Sequence, residues 1–434
     1  MEFNENILKI LRKKDLSEYI VATSVTDTDQ VRFSADSKDL FNHWSEKSAA
    51  IFISRGRKIF STTISNVAMP EQEIDKAVSV LNTLPENTNY MGLSDKKHSY
   101  GSLRKFKKID VNIDDMASTV LTSALDAGSD RVAGLVYNEF STVYLDTQIN
   151  EVEYSEGGLH FLVRSFAGEG TGQESSHLGF DSKRSTKDLE KMGREASETA
   201  KLGGKFSDGK PGKYDVLMSP YLVGNLMTYG SSLFSAYNVD AGMSCFENKV
   251  GQKVASGIVN LVDDPLNFNG DAAVQVDEEA TPTKRLPMIE NGELKTYLHS
   301  TSTARKFGAK TTGNAGVISP HPWQLNMLPG KESFDSILHE MKSGLFIKNA
   351  WYTRFQDYRN GIFSTVPRDG IFTVEDGEIT GSVRGIRISD EIPRILMNID
   401  QVSKEQMNVK WWQEIHSSFM PYVHVRDVSI SKSF

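Results

Sequence analysis

Residues 215–240 read DVLMSPYLVGNLMTYGSSLFSAYNVD, with no Lys, Arg, His, Asp or Glu between the two flanking aspartates. Val216-Leu217-Met218 predicts a short strand. Ser219-Pro220 is typical of a helix start, with serine as the N-cap and proline at the first helical position. Apolar residues at helical spacing then predict one helix over residues 222–239. A helix without charge is expected to be buried, and it offers no side chain that binds a divalent metal tightly.

The composition of the 434 residues is that of a soluble globular protein, with 38% hydrophobic and 24% charged residues. This length allows two or three domains. The net charge of −8 argues against a general nucleic-acid surface, and we interpret two short basic clusters as solvated surface. The single cysteine, Cys245, fits a reducing compartment, and no apolar segment reaches the ~20 residues of a membrane span. The sequence therefore predicts a cytoplasmic protein that binds neither nucleic acid nor membrane.

Residues 1–205 are predicted to form an N-terminal domain of two similar repeats, at about 1–100 and 110–205. Each repeat begins and ends with an amphipathic helix and has strand-like runs between them. The predicted helices cover 4–13, 71–82, 114–127 and 187–201, and the runs cover 19–22, 30–33, 50–55, 58–63, 131–137, 142–145, 152–154 and 160–164. FISR at 52–55 and FLVR at 161–164 occupy corresponding places. We interpret a duplicated α+β unit with antiparallel sheet, and chance similarity of common patterns is the alternative.

A segment rich in glycine, residues 203–212, marks the predicted domain junction, because four glycines and a proline cannot form a helix or a central strand. The C-terminal domain, 206–434, is predicted to be mainly antiparallel β with a few helices. Asn291-Gly292 and Asp376-Gly377 lie between apolar runs and are strong hairpin-turn signals. The predicted strands are 257–262, 285–290, 293–299, 344–349, 371–375, 377–383 and 423–430, and a helix is predicted over 333–342.

Common catalytic signatures are missing from the sequence. Residues 168–173 do not match the dinucleotide-binding glycine pattern and are predicted to be a hairpin turn, and no P-loop or nucleophile elbow occurs. The acidic clusters 263–264 and 277–279 are interpreted as loop and turn carboxylates. His339-Glu340 begins like a helical metallopeptidase site, but no second histidine follows one turn later. We therefore predict no catalytic residue and no metal ligand.

The C-terminal half resembles the TldD/PmbA family, a metalloprotease system whose members were once called gyrase modulators. The matching stretches occur in family order at 214–220, 251–256, 262–265, 277–283, 289–299, 302–308, 312–315, 328–330, 361–364 and 375–379. Two positions depart from the family pattern: Ala280 stands where many relatives have glycine, and Ile362 where many have aspartate. The departures concern local contacts and leave the resemblance intact.

The resemblance implies a particular kind of subunit. TldD subunits carry a His-Glu-x-x-x-His motif on the helix after the Ser-Pro turn, whereas PmbA (TldE) subunits lack it. The corresponding helix here is the uncharged one, so the chain is similar to the PmbA/TldE kind. This implies a non-catalytic subunit with no zinc of its own. Its partner would be a TldD-like subunit that holds zinc, or a second copy of the chain, and the substrates would be unfolded peptides.

Within that interpretation we predict five substrate-binding residues, in the loop 311–315 and the strand near 361–364: Thr312, Gly313, Asn314, Phe363 and Ser364. Sheet edges would hold an extended peptide through main-chain hydrogen bonds. Turn and packing roles are the alternative for all five. The alternative functions are a self-sufficient metallopeptidase with dispersed ligands such as His299, His321 and Asp277, and a homodimeric peptide-binding module. Trp411-Trp412 is interpreted as either an interface or a buried pair.

Overall fold

The computed structural model describes residues 2–183, 185–411, 414 and 416–433. Its strands form two sheets, one of six strands from the first half of the chain and one of twelve from the second half. The architecture is α+β, as predicted, and strands dominate the second half. Among the described residues, no helix combines the length and the apolar character needed to cross a membrane.

The first half repeats one order of elements, helix–three strands–helix. The first repeat consists of α1 (Glu2–Leu11), β1 (Glu18–Ala35), β2 (Ser37–Arg55), β3 (Lys58–Thr63) and α2 (Pro70–Thr83). The second consists of α3 (Ile113–Asp126), β4 (Arg131–Thr147), β5 (Glu151–Ala167), β6 (Gly170–Leu178) and α4 (Thr186–Leu202). The sheet order is β3-β2-β1-β4-β5-β6, so the two repeats join where β1 pairs antiparallel with β4.

The strands of this sheet are longer than the sequence predicted. The runs 19–22 and 30–33 belong to one strand, β1, and the same holds for the two runs in β4 and the two in β5. In β1 the intervening segment, residues 23–29, contains no glycine or proline that would turn the chain. Its polar residues instead pair with both β2 and β4. The prediction also missed β6: of the turn predicted at residues 168–173, only 168–169 turn, and β6 begins at Gly170.

Each repeat buries the apolar faces of its two helices against the first sheet. In the second repeat, Val120 of α3 and Ala196 of α4 pack with Val136 and Phe161 of the sheet. The start of α3 is fixed by Asn112, whose side chain accepts hydrogen bonds from two backbone N–H groups of the first turn. Helices therefore cover the sheet of each repeat.

The second half contains a mixed sheet with several short strands. Its elements are β7 (Phe206–Asp208), β8 (Gly212–Met218), α5 (Pro220–Gly230), α6 (Ala236–Asp240), β9 (Leu261–Asp263), β10 (Leu286–Glu290), β11 (Glu293–Leu294), α7 (Thr301–Phe307), β12 (Leu325–Met327), α8 (Phe334–Glu340), β13 (Ser343–Asp357), β14 (Ile362–Glu375), β15 (Glu378–Arg384), β16 (Ile386–Glu391), α9 (Ile392–Met397), β17 (Ile399–Val409) and β18 (Ser418–Lys432). The predicted strand at 293–299 is only two residues long, and that at 257–262 begins later than predicted. Pairing is mainly antiparallel, with parallel pairs at β8–β13, β12–β18 and β7–β15.

The uncharged segment lies at the centre of this half. Strand β8 pairs with β13 and β18, and the Ser219 side chain caps α5 as predicted. The predicted single helix over 222–239 is wrong, because α5 ends at Gly230 and is followed by a 3-10 turn over Ser231–Phe234 and then by α6. Polar side chains donate hydrogen bonds to backbone carbonyls that would accept from backbone N–H groups in a continuous helix. Asn238 Nδ2 donates to Ser232 O, 2.8 Å, and Ser244 Oγ donates to Leu233 O, 2.5 Å.

Trp411 is buried, with its ring centroid 6.4 Å from that of Trp351. Packing inside the chain therefore accounts for Trp411. Trp412, the other half of the predicted pair, lies outside the described residues.

Candidate functional site

A cavity of about 710 Å³ lies beside the end of the uncharged segment. From this segment it is lined by Thr228 and Tyr229 of α5 and by Ser231 and Ser232 of the 3-10 turn. The opposite walls come from residues 319–323, from Phe355 and Tyr358, and from Glu414, His416 and Ser417. These four segments and Glu278, far apart in the sequence, therefore build one site.

A second cavity, of about 470 Å³, lies between one face of the first sheet and residues 271–274. The two cavities share three lining residues, Glu278, Trp323 and His416. Because they share a wall, the cavities adjoin and run from the uncharged segment toward the junction of the two halves. The shape suits an extended ligand better than a compact one.

The shared wall is held by a buried carboxylate. Asp263, at the end of β9, accepts hydrogen bonds from the backbone N–H groups of Trp323, 3.0 Å, and Gln324, 2.8 Å. It also accepts one from Asn314 Nδ2, 2.6 Å. The indole Nε1 of Trp323 donates to Gly313 O, 2.9 Å. Both the backbone and the ring of Trp323 are therefore fixed from behind the cavity.

Three of the five predicted substrate-binding residues lie in the loop behind this wall. Two hydrogen bonds join Asn314 to His321. The His321 backbone N–H donates to Asn314 O, 3.1 Å, and Asn314 Nδ2 donates to His321 O, 3.1 Å. Thr312 Oγ1 accepts from the backbone N–H of His299, 2.9 Å. Gly313 has φ +79°, a left-handed conformation in which a Cβ would lie 3.0 Å from Pro282 O. The side chains of Thr312 and Asn314 are buried, and none of the three residues lines either cavity.

The other two predicted residues lie in β14. Phe363 is fully buried in the core of the second half, and Ser364 Oγ accepts a hydrogen bond from Arg387 Nη1, 2.9 Å. At these residues β14 pairs with β13 on one side and β16 on the other. This part of β14 is therefore not a sheet edge, and the predicted main-chain pairing of a peptide with it is wrong.

The residues that α5 and its 3-10 turn present to the cavity are hydroxyl residues. Thr228 Oγ1 donates to Gly224 O, 2.7 Å, and Ser231 Oγ donates to Thr228 O, 2.6 Å, so both hydroxyl protons are used by the local backbone. Imidazole, thiolate and carboxylate are the side-chain ligands of zinc. This segment has none of them, so it does not fit a catalytic zinc site.

Burial shifts the pKa values of several titratable groups in the larger cavity. It raises the pKa of Glu414 to about 8 and that of Glu278 to about 7, and it lowers the pKa of His416 to about 4. The pKa of His321 is also lowered by burial. Near neutral pH, Glu414 and His416 are therefore uncharged, and the aromatic residues Trp323 and Tyr229 line the same cavity.

The Glu414→Gln variant is expected to lose less stability at high pH than the wild type. In the wild type, folded Glu414 keeps its proton between its ordinary pKa and about 8, whereas the unfolded chain releases it. The contribution of Glu414 to the free energy of unfolding therefore falls as the pH rises through that window. The side-chain oxygen that accepts from Trp411 N–H, 2.9 Å, is kept in glutamine. Between pH 5.5 and pH 8.0, the free energy of unfolding measured with urea should fall by about 2–3 kcal/mol less in the variant than in the wild type.

The matched control is Glu290→Gln, a change at a glutamate whose side chain is 53% exposed. The control should keep the pH dependence of the wild type. Equal drops in Glu414→Gln and the wild type would show that Glu414 is ionised in the folded protein.

The dispersed ligands suggested for a self-sufficient metallopeptidase do not meet. Within the described residues, His299, His321 and Asp277 form no group with converging ligand atoms. Asp277 instead accepts backbone hydrogen bonds from Glu279, Thr281 and Ala315 in a buried turn. The acidic residues 277–279 do lie in a turn, as predicted, and Ala280 within it has φ +62°. This left-handed conformation favours glycine, the residue that many relatives have there.

Comparisons with known proteins identify the family of the chain. The sequence model described as the PmbA/TldA metallopeptidase C-terminal domain matches residues 211–432. This chain belongs to the PmbA/TldD metallopeptidase family. A metalloprotease of Methanothermobacter thermautotrophicus is 28% identical over 281 residues, which is 62% of this chain and 61% of the relative. A metalloprotease TldD homologue of Buchnera aphidicola is 28% identical over 228 residues, 50% of this chain and 46% of the relative.

The matches to these PmbA/TldD relatives span about half to three fifths of their length. Among solved structures, TldE from Thermococcus kodakarensis superposes with a TM-score of 0.81 at 18% identity, covering 99% of this chain and all of that chain. At this identity the likeness shows a shared fold. Both halves of the chain, including the duplicated sheet, are thus part of a fold found in a solved TldE.

Proposed function

We propose that this chain is a PmbA/TldE-type subunit of a TldD/TldE-type metallopeptidase, and that it contributes no catalytic zinc. The observation that carries the proposal is the uncharged α5 beside the larger cavity, with Thr228, Tyr229, Ser231 and Ser232 on its wall. Family membership supplies the reaction class, hydrolysis of peptides. A TldD-like subunit would supply the zinc site, and a second copy of this chain is the alternative partner.

The adjoining cavities would hold an extended, uncharged stretch of an unfolded peptide. In the larger cavity, neutral Glu414 and His416 offer hydrogen-bonding groups without charge, and Trp323 and Tyr229 suit apolar side chains. Thr312, Gly313 and Asn314 would act as positioning residues, since this loop holds Trp323 and His321 in place. Phe363 and Ser364 would not contact the peptide and would act only by supporting the site from the buried core of the second half. We place the complex in the cytoplasm, in keeping with the one free cysteine, Cys245.

Peptidase activity is expected only when this chain is mixed with a TldD-like subunit from the same organism. The test compares hydrolysis of a fluorogenic unfolded peptide by each subunit alone and by the co-purified pair. Hydrolysis is the readout, rather than zinc content, because a metal bound elsewhere in the chain would not report on catalysis. Native mass of the co-expressed material distinguishes a heterodimer from a homodimer.

Hydrolysis by this chain alone would overturn the proposal and restore the self-sufficient metallopeptidase. Peptide binding by a homodimer, with no hydrolysis in either preparation, would favour the peptide-binding module instead.

A further inference from the structure

Three side chains from distant parts of the sequence meet between the first sheet and the second half. They are His160 of β5, His177 of β6 and Asp271 of the loop after β9. The two imidazole Nδ1 atoms are 3.0 Å apart, and each lies 3.3 Å from Asp271 Oδ2. His160 and His177 are only 6% and 2% exposed, and the Asp271 side chain is 7% exposed. The cluster is thus a compact triangle of ligand atoms in the interior.

The fold holds each member in place. His160 and His177 are direct partners in the antiparallel register of β5 and β6, so their side chains project from the same face. The loop with Asp271 is tied to the end of β6 by backbone hydrogen bonds from Gly179 to Asn269 O, 2.9 Å, and from Asp181 to Phe268 O, 2.8 Å.

Further contacts fix the orientation of the side chains. The His160 ring stacks on Tyr137, with centroids 4.2 Å apart and planes at 9°. Ser417 Oγ donates to the second carboxylate oxygen of Asp271. A partner on the outer carboxylate oxygen is the usual way in which proteins orient a metal-binding carboxylate.

The dimensions of the triangle match one face of a tetrahedral zinc site. Zinc binds imidazole nitrogen and carboxylate oxygen at about 2.0–2.2 Å, which places neighbouring ligand atoms roughly 3.3 Å apart. Hydrogen bonds alone explain the triangle less well. A neutral imidazole carries at most one proton on Nδ1, so at most two hydrogen bonds can form along the three sides of the triangle. A single metal ion would bind all three ligand atoms.

We propose that His160, His177 and Asp271 bind a structural divalent metal ion of the zinc class, which joins the first sheet to the second half. The fourth ligand is a water molecule. Two imidazoles and one carboxylate suit zinc better than the oxygen-preferring magnesium or calcium. Asp271 also lines the 470 Å³ cavity, which gives the ion a route of entry.

The test uses the untagged full-length chain, stripped with a chelator and then titrated with zinc chloride. We expect one zinc per chain by mass spectrometry of the metal, and a rise in the midpoint of thermal unfolding with zinc concentration. Asp271→Asn keeps the size of the side chain and is expected to weaken zinc binding at least tenfold. His177→Gln should do the same.

The control is His299→Gln, a change at another buried histidine outside the cluster, which should leave the stoichiometry at one. Circular dichroism shows whether each variant folds, and the wild-type stoichiometry needs no variant at all. Less than about a tenth of an equivalent of zinc in the wild type would overturn the proposal. Undiminished binding by folded Asp271→Asn would do so too. Neither outcome bears on the proposed peptidase role, which is read from hydrolysis.

Discussion

Replacing Asp263 with alanine is expected to lower the free energy of unfolding by about 4 kcal/mol. The carboxylate is fully buried and accepts from Trp323 N–H, Gln324 N–H and Asn314 Nδ2. Alanine leaves these three donors without an acceptor, and each unsatisfied buried donor costs roughly 1–3 kcal/mol. Urea unfolding at pH 7 measures the change. The shared wall of the two cavities should loosen as well, because Trp323 loses its backbone anchor.

The neighbouring Asp264→Ala is the matched control. Its carboxylate is 18% exposed, and Arg285 Nε lies 3.6 Å from Oδ2. Partly exposed ion pairs of this kind contribute about 0–1 kcal/mol, so the control should be nearly neutral. Similar losses in both variants would mean that the hydrogen bonds to Asp263 do not hold the wall.

Filling the larger cavity from its helical side is expected to reduce peptide turnover by the proposed two-subunit complex about a hundredfold. Ser232→Trp places an indole in the 710 Å³ space from the 3-10 turn. The serine hydroxyl makes only a 3.4 Å contact with Tyr229 O, so its removal costs little. A ring that occupies the cavity excludes the peptide. A hundredfold fall in kcat/KM corresponds to about 2.7 kcal/mol of lost transition-state binding. The measurement is kcat/KM with a fluorogenic peptide.

Ser79→Trp is the matched control, because Ser79 is exposed on α2 and far in sequence from every segment that lines the larger cavity. It should leave kcat/KM unchanged. Native mass of the complex shows whether Ser232→Trp still assembles. An assembled complex with undiminished turnover would rule out the cavity as the peptide site.

Local sequence patterns predicted the elements that depend on local interactions. Ser219-Pro220 gave the start of α5, because an N-cap and a first-turn proline act within a few residues. The helix–strands–helix order of both repeats also follows from local periodicity. The end of α5 did not. At the break after Gly230, Leu233 O accepts from Ser244 Oγ and Ala236 N–H donates to Leu298 O, and both partners, Ser244 and Leu298, lie outside the periodic segment.

The sites depend on contacts between distant segments, so the sequence revealed little of them. The family match alone points to the loop 311–315 as a substrate-binding segment. The structure places this loop behind the cavity wall, which it supports. The His160–His177 pair could have been found in part. The turn at 168–169 fixes a register that sets these residues opposite each other, but β6 itself had not been predicted. No sequence signal places Asp271 beside them.

The pairing of β1 with β4 also constrains how the chain folds as it is synthesised. Residue 35 ends β1 and residue 131 begins β4, so roughly a hundred residues must be added before the two strands can meet. At about 5–20 residues per second, the ribosome needs on the order of 5–20 s for this. During that interval the outer side of β1 in the nascent β1–β2 hairpin is unpaired along its whole length and open to other nascent chains. The ladder that unites the repeats thus makes the first repeat depend on the second to cover this side of β1.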